Sequence, residues 1–486
     1  MSKEHDTSQR GYADSGTVRA YEENYYPWSI ERIPRTLKLG GKTVPHPGRT
    51  HAIFVVHGIG QQNRTETAAT LRSGFEDALE EIEQWQVENL KGRAALSARD
   101  FGCVPPPFVS DGYWSNYDEM AETFKDDWKR FNENERLFFG YLWQRRTTAL
   151  RTYTWFLWQQ VRLLSPRVAK EVKFYWLLYL PLQLVSLVAL TVGLLRTPKV
   201  LTRFLADVRL YLQPRGMVEK AVVQRIDYRV GAAFLKMIGL DWEFRPLPNN
   251  RRLKASGETV QFTRVVWVAH SLGTVISYNV LSDLFHRAAQ IDRTGDREQK
   301  AGVARFRATL RRFVTLGSPL DKVAFLFGTK SLRPWPGLPR SDLLKGGERL
   351  RGEDDDPLTE WWINFHHVLD PVSGSLTSQL ICGSRPPLNL LSGFSASGLV
   401  PGLAHVHYWA DAPRTLRYIL GRTYGHEYLP DREFRPFNPL QRWFLVAVGY
   451  FVWLALLVGG AWAIVKYAPA IWNFTAGWAA GLLKSI

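Results

Sequence analysis

The chain has 486 residues, 45% of them apolar, so it can bury a sizeable core, and it carries no collagenous or low-complexity signature. Its two cysteines exclude a disulfide framework and lie at no metal-ligand spacing. The formal net charge is +16, and between 136 and 215 there are 13 Lys/Arg against 2 Asp/Glu. Such basic residues beside apolar runs indicate anionic lipid headgroups as partners. Nucleic acid is not expected, since no nucleic-acid-binding motif accompanies them.

The first 255 residues divide into three predicted parts. Residues 1–50 are predicted to be an irregular lead-in without the apolar core of a secretory signal. The run 51–56 (HAIFVV) predicts a buried strand ending in a glycine turn, and residues 65–90 have helical spacing. We assign 51–122 to the first part of an α/β domain and 123–255 to a basic, mostly helical insertion.

The second part of the α/β domain is predicted over 256–436. Apolar runs predict strands at 263–269 and 313–316 and another within 361–369, and a helical stripe covers 272–285. Strands that alternate with helices predict a mostly parallel sheet covered by helices on both faces.

Two uncharged runs are long enough to cross a bilayer. Residues 443–465 span 23 positions between Arg442 and Lys466, which predicts a transmembrane segment within a C-terminal anchor at 437–486. Residues 174–195 span 22 positions. A single crossing there would put the two parts of the α/β domain on opposite sides of the membrane. This run is therefore expected to re-enter the membrane, to lie in its interface, to pair with the C-terminal span or to be a buried helix under a lid. The absent signal and the basic flanks favour a membrane location with the α/β domain facing the cytoplasm.

Ala269-His270-Ser271-Leu272-Gly273 separates the second predicted strand from the helix that follows it. This context is typical of a nucleophile elbow, in which a strained turn lifts a serine hydroxyl out of the sheet, so Ser271 is the candidate nucleophile. The transition state also needs oxyanion donors, for which we propose the backbone N–H of Leu272 and that of Gly58 or Ile59.

After an elbow, the acid and then the histidine are expected further along the chain. Asp370 follows a predicted strand and is the preferred acid, with Asp321 in reserve. The histidine lies in AHVHYWAD, where His405 is preferred and His407 stays open. No third metal ligand supports this His-x-His pair, so neither a metal nor another cofactor is expected.

Five segments of the chain are considered together: FVVHGIGQQ (54–62), VAHSLGTVISYNVL (268–281), VTLGSPLDKV (314–323), INFHHVLDPVSG (363–374) and AHVHYWAD (404–411). In residues and in order they resemble the intracellular phospholipases with a DDHD domain and related lipase-like hydrolases of the α/β-hydrolase fold. Position 269 is Ala where that family's pattern has Gly. The resemblance selects His405 and implies a triad of Ser271, Asp370 and His405 acting on an acyl ester, expected to be a lipid.

The sequence therefore predicts a membrane-associated serine ester hydrolase that needs no cofactor. Two alternatives stay open: an acyltransferase that uses the same triad, and an inactive membrane scaffold with a hydrolase fold. Substrate head group, acyl chain length and oligomeric state are not predicted.

Overall fold

The protein is described by a computed structural model over residues 36–39, 42–58, 66–89, 107–112, 211–212, 214, 217–247, 254–255, 258–259, 262–321, 323, 361–367, 370, 372–376, 387–392 and 403–424, and at eleven positions between 440 and 466. The predicted apolar run 174–195, and most of the insertion around it, lie outside these residues.

The N-terminal elements begin with a hairpin and lead into the sheet. Strands β1 (Thr36–Leu39) and β2 (Lys42–Pro45) pair antiparallel, and the short helix α1 (Pro47–Thr50) precedes β3 (His51–Val56). Helix α2 (Glu66–Asn89) and strand β4 (Phe108–Asp111) follow. The prediction of an irregular lead-in over 1–50 is therefore wrong for the hairpin and α1, because strands of four residues are too short to give a clear periodic pattern.

The remaining elements lie in the second part of the chain. They are α3 (Met217–Met237), the two-residue strands β5 (Lys254–Ala255) and β6 (Glu258–Thr259), β7 (Arg264–His270), α4 (Leu272–Thr294), α5 (Arg297–Thr309), β8 (Leu310–Leu316), β9 (Trp362–His366), β10 (Leu388–Leu391) and α6 (Arg417–Tyr424).

Six strands form one sheet in the order β10-β9-β8-β7-β3-β4, and each neighbouring pair in it is parallel. The predicted α/β class with a parallel sheet is confirmed. The edge strands β4 and β10 were not predicted from the sequence. The order also shows where the chain changes direction across the sheet: β4 lies on one side of β3, whereas β7 and its successors lie on the other. The pair β3 and β7 is thus a topological switch point, where open parallel sheets leave a crevice outside their carboxyl ends.

The sheet is buried on both faces, which explains its continuous apolar strands. One face packs against α3, α4 and α5, and the other against α2 and α6. Helix α3, which falls inside the predicted insertion, contributes to this core: the ring of Phe234 lies 4.8 Å from that of Trp267 and 5.4 Å from that of Phe54. The two helical layers hold the sheet rigidly, so the ends of its strands can position side chains.

The described positions between 440 and 466 are helical. They include large apolar side chains that are 60% to 80% exposed: Leu440, Phe444, Phe451, Val458 and Trp462. Within the parts of the chain that the structure describes, no helix is both long and apolar enough to cross a membrane.

Candidate active site

Ser271 lies in the sharp turn between β7 and α4. Its backbone has φ 54° and ψ −129°, a region that a residue with a side chain rarely adopts. The turn is fixed from both directions. The Ser271 N–H donates to the carbonyl of Leu316 at 3.0 Å, and the Ser271 carbonyl accepts from the hydroxyl of Thr274 at 2.7 Å. Strain at Ser271 is therefore supported by β8 on one side and by the first turn of α4 on the other.

The hydrogen-bond partner of the Ser271 hydroxyl is unusual for a serine at the start of a helix. A serine before the first residue of a helix commonly accepts a hydrogen bond from the backbone of that first turn. Ser271 makes no such capping bond. Its Oγ lies instead 2.7 Å from Nε2 of His405, although 134 positions separate the two residues. Ser271 therefore does not serve as a helix cap, and its hydroxyl is directed to His405.

Two glycines allow the turn after β3 to approach Ser271. A Cβ on Gly273 would collide with the carbonyl oxygens of Val56 and His57, so α4 can cross the end of β3 only without a side chain there. A Cβ on Gly58 would lie 2.6 Å from the Cβ of Ser271. The Gly58 backbone is thus packed directly against the candidate nucleophile.

His405 joins Ser271 to a carboxylate. Its Nδ1 lies 2.9 Å from Oδ2 of Asp370, whose side chain is fully buried, whereas the His405 side chain is 15% exposed. If the carboxylate is ionised, Nδ1 carries the proton and Nε2 presents a lone pair to the serine hydroxyl. This tautomer makes His405 a base that faces Ser271.

Asp370 lies just after β9 and is held by donors on both oxygens. Oδ1 accepts from the backbone N–H of Val372 at 2.8 Å, and Oδ2 accepts from His405 and from the hydroxyl of Tyr408, also at 2.8 Å. All three partners donate, which suits an ionised carboxylate. Of the two predicted acids, the structure brings Asp370 and not Asp321 to His405.

His405 and His407 lie in consecutive 3-10 turns, Leu403–His405 and His407–Ala410. A strand would have placed both side chains on one face, and this stretch is not a strand. The structure brings His405 to Ser271, while the side chain of His407 lies outside the described ones. No group of three metal-ligating side chains occurs among the residues that the structure describes.

The predicted oxyanion donors are placed in part. Leu272 is the first residue of α4, so its N–H has no acceptor inside the helix. Gly58 lies on the other side of Ser271, and Ile59 lies outside the described residues. An oxyanion formed at Ser271 would therefore have the Leu272 N–H and the turn after β3 as its backbone surroundings.

Three site residues were missed by sequence reasoning. Nε2 of His270 lies 2.8 Å from the carbonyl oxygen of His405, and Tyr408 donates to Asp370. The hydroxyl of Ser318 lies 2.9 Å from that of Thr274 and so links the turn after β8 to the elbow. His270 is next to Ser271 in the sequence, and Tyr408 lies in the same motif as His405. This closeness in sequence is the signal that could have indicated a role for them at the site.

Burial keeps His57 and His270, which flank the site, neutral. It lowers the pKa of His57 to about 4 and that of His270 to about 3, and the neighbouring His405 lowers the pKa of His270 further. At the other end of β3, burial and the charge of Arg264 lower the pKa of His51 to about 3.

These depressed pKa values predict acid sensitivity of the fold. In the unfolded chain each histidine titrates near 6.5, so between that value and about 3 to 4 the unfolded chain binds protons that the folded chain does not. Stability is thus present above pH ~6.5 and is lost as the pH falls. We expect the free energy of unfolding to be lower at pH ~5.5 than at pH ~7.5, by roughly 1 kcal/mol for each of the three histidines. Urea denaturation followed by tryptophan fluorescence measures this.

His51→Asn provides the control, because His51 lies at the amino end of β3, away from Ser271. This variant should lose about a third of the pH dependence. Equal stability of the wild-type protein at both pH values would show that these histidines do not stay neutral in the folded chain.

Comparisons with protein-family models, with curated proteins and with solved structures found no match to this chain. Its function is therefore inferred from the geometry of the site. That geometry consists of a serine in a strained elbow, a histidine facing its hydroxyl and a buried carboxylate behind the histidine.

Proposed function

We propose that the protein is a serine hydrolase that cleaves acyl esters, with Ser271 as nucleophile, His405 as base and Asp370 as acid. The observation that carries the proposal is the continuous hydrogen-bonded series from Ser271 Oγ through both ring nitrogens of His405 to Asp370. A nucleophile and a base within hydrogen-bond reach, with the base oriented by a third group, are the requirement for an activated serine.

In the acylation half-reaction, Ser271 Oγ attacks the ester carbonyl while its proton passes to Nε2 of His405. Asp370 stabilises the resulting imidazolium and holds the ring in position. The Leu272 N–H, with a donor from the turn at Gly58, stabilises the negative charge on the tetrahedral oxygen. His405 then returns the proton to the leaving alcohol, and the carbon–oxygen bond to it breaks. In the second half-reaction, water loses a proton to Nε2 of His405 and attacks the acyl-enzyme. The bond between the acyl carbon and Ser271 Oγ then breaks, His405 returns the proton to Oγ, and the carboxylic acid leaves.

The order of the strands supports the α/β-hydrolase assignment within the α/β class. Ser271 and Gly58 follow β7 and β3, the two strands at the switch point where such sheets place their ligands. Asp370 follows β9, and the histidine comes later in the chain, as expected for a serine elbow at the top of this kind of sheet. Together with the resemblance to the DDHD-domain phospholipases, this favours a lipid ester as substrate.

A fluorophosphonate probe, which phosphonylates activated serines, tests the nucleophile. The wild-type protein should react, and Ser271→Ala should abolish the reaction because it removes the attacking oxygen. Ser282→Ala is the matched control, since Ser282 is a fully buried serine on the same helix. Gel fluorescence over time, with intact mass to locate the adduct, measures the outcome.

Two outcomes would contradict the proposal. Labelling that survives in Ser271→Ala would place the reactive residue elsewhere. A folded wild-type protein that neither labels nor turns over a nitrophenyl ester, with or without lipid vesicles, would favour the inactive scaffold.

Replacing each candidate acid by asparagine separates Asp370 from Asp321. Asp370→Asn keeps the size of the side chain but disfavours the tautomer of His405 that can accept the serine proton, so kcat should fall by roughly 10³–10⁴-fold. Asp321→Asn should leave kcat within about 2-fold, because Asp321 does not reach His405 in this geometry. Steady-state hydrolysis of a nitrophenyl ester measures both, and loss of turnover in Asp321→Asn alone would overturn the choice of acid.

We also propose that the enzyme acts at a membrane surface, to which its C-terminal segment attaches it. The uncharged run 443–465 and the exposed apolar side chains within it are the observations in favour. At its end the ammonium of Lys466 lies 4.6 Å from the ring centre of Trp462, a pairing of aromatic and basic residues that suits the interface between hydrocarbon and headgroups. The basic stretch 136–215 favours anionic lipid as the partner.

Flotation with lipid vesicles tests this attachment. Replacing Phe444, Phe451 and Trp462 together by Gln should reduce binding about 10-fold or more, because it removes a large apolar area from the bilayer. Met217→Gln is the control, since Met217 is also an exposed apolar residue but lies outside the run. Adding phosphatidylserine should strengthen binding at low salt. Unchanged flotation of the triple variant would refute attachment through this segment.

A further inference from the structure

Tyr408 extends the hydrogen-bonded series of the site beyond its acid. Its side chain is fully buried, and its hydroxyl lies within hydrogen-bond distance of three groups. These are Oδ2 of Asp370 at 2.8 Å, the backbone N–H of His367 at 2.9 Å and the hydroxyl of Ser373 at 2.9 Å. The proposed reaction does not use Tyr408 directly.

The donor and acceptor roles at this hydroxyl follow from its capacity. A phenolic oxygen has one proton to donate and two lone pairs with which to accept. The carboxylate of Asp370 takes the proton, and the N–H of His367 takes one lone pair. Ser373 must then donate to the other lone pair. The Tyr408 hydroxyl thus uses its proton and both lone pairs. It accepts from His367 and Ser373 and donates to Asp370.

The surroundings keep Tyr408 in this role at all working pH values. Burial and the charge of Asp370 raise the pKa of Tyr408 well above its ordinary value, so the hydroxyl stays a neutral donor. The ring is fixed as well: a Cβ on Gly317 would lie 2.9 Å from Cε2 of Tyr408 and 3.2 Å from Cε1 of His405. The end of β8 therefore packs against both side chains and fixes their relative position.

Resting on the proposed hydrolase function, we propose that Tyr408 is a positioning residue that holds the Asp370 carboxylate in the orientation that His405 requires. Tyr408 and His405 both donate to Oδ2, while the Val372 N–H donates to Oδ1. Without the Tyr408 hydroxyl, the oxygen that faces His405 would lose one of the donors that fix its position. A carboxylate that is less firmly held would leave the imidazole less well aligned with Ser271.

Tyr408→Phe isolates the hydroxyl, because the ring and its packing remain. We expect kcat for a nitrophenyl ester to fall about 10-fold with KM unchanged, the pattern of an interaction that matters in the transition state and not in substrate binding. The rate of fluorophosphonate labelling should fall by a similar factor. Circular dichroism and urea denaturation establish that the variant is folded.

Tyr211→Phe is the matched control. Tyr211 is also buried, and its hydroxyl donates to the buried carboxylate of Asp227 at 2.6 Å. Asn279 bonds to the same hydroxyl and lies eight residues along α4 from Ser271, ~12 Å away. Both variants lose the same kind of bond and should lose similar stability, but only Tyr408→Phe should lower kcat.

A double-mutant cycle tests whether Tyr408 acts through the acid. In the Asp370→Asn background, Tyr408→Phe should change the remaining rate by less than about 2-fold, since the group that it positions has already been altered. If the loss of kcat in the double variant equalled the product of the losses in the two single variants, Tyr408 would not act through Asp370. That result would overturn the proposal.

The results distinguish this proposal from the function on which it rests. If the wild type reacts and Ser271→Ala does not, but Tyr408→Phe matches Tyr211→Phe in kcat, the positioning role is refuted and the hydrolase function stands. If the folded wild type neither labels nor turns over, both are refuted. A kcat loss confined to Tyr408→Phe, absent in the Asp370→Asn background, supports the role.

Discussion

The site depends on one backbone constraint, the strained conformation of Ser271 at the end of β7. Such a conformation costs on the order of 1–3 kcal/mol and persists only where the surroundings over-determine it. Here the surroundings are the ladder bond to Leu316, the bond from Thr274 and the close crossing of α4 over the end of β3 at Gly273. With an ordinary backbone at this position, the hydroxyl would be free to cap α4 and would no longer face His405.

The parallel sheet turns this local strain into a site. All six strands run in the same direction, so the segments that follow β3, β7, β8 and β9 emerge at one edge. Each contributes one part: a glycine backbone, the serine, the packing surface at Gly317 and the carboxylate of Asp370. Groups far apart in sequence thus meet at this edge of the sheet. The helical layers on both faces exclude water beneath the site and keep the strand ends in register.

The sequence predicts those elements of the fold whose residues form a local hydrophobic pattern. The central strands appear as apolar runs, and α4 as a helical stripe, because burial on both faces of a sheet or one face of a helix imposes that periodicity. Strands β4 and β10 have only four residues each and escaped notice. Asp370, not Asp321, meets His405 in three dimensions, although both follow strands. Tyr408 and His270 were missed because their roles depend on partners 38 and 135 positions away.

The two neighbouring histidines, His270 and His405, have different surroundings. The ring of His270 lies 4.9 Å from that of His405, so two imidazolium ions there would repel each other strongly. Burial lowers the pKa of His270 to about 3, which leaves it neutral and able to donate to the His405 carbonyl. His405, by contrast, is partly exposed and lies against a carboxylate. In the proposed reaction the proton of Ser271 goes to His405, whose imidazolium the Asp370 carboxylate would stabilise, while His270 stays uncharged beside it.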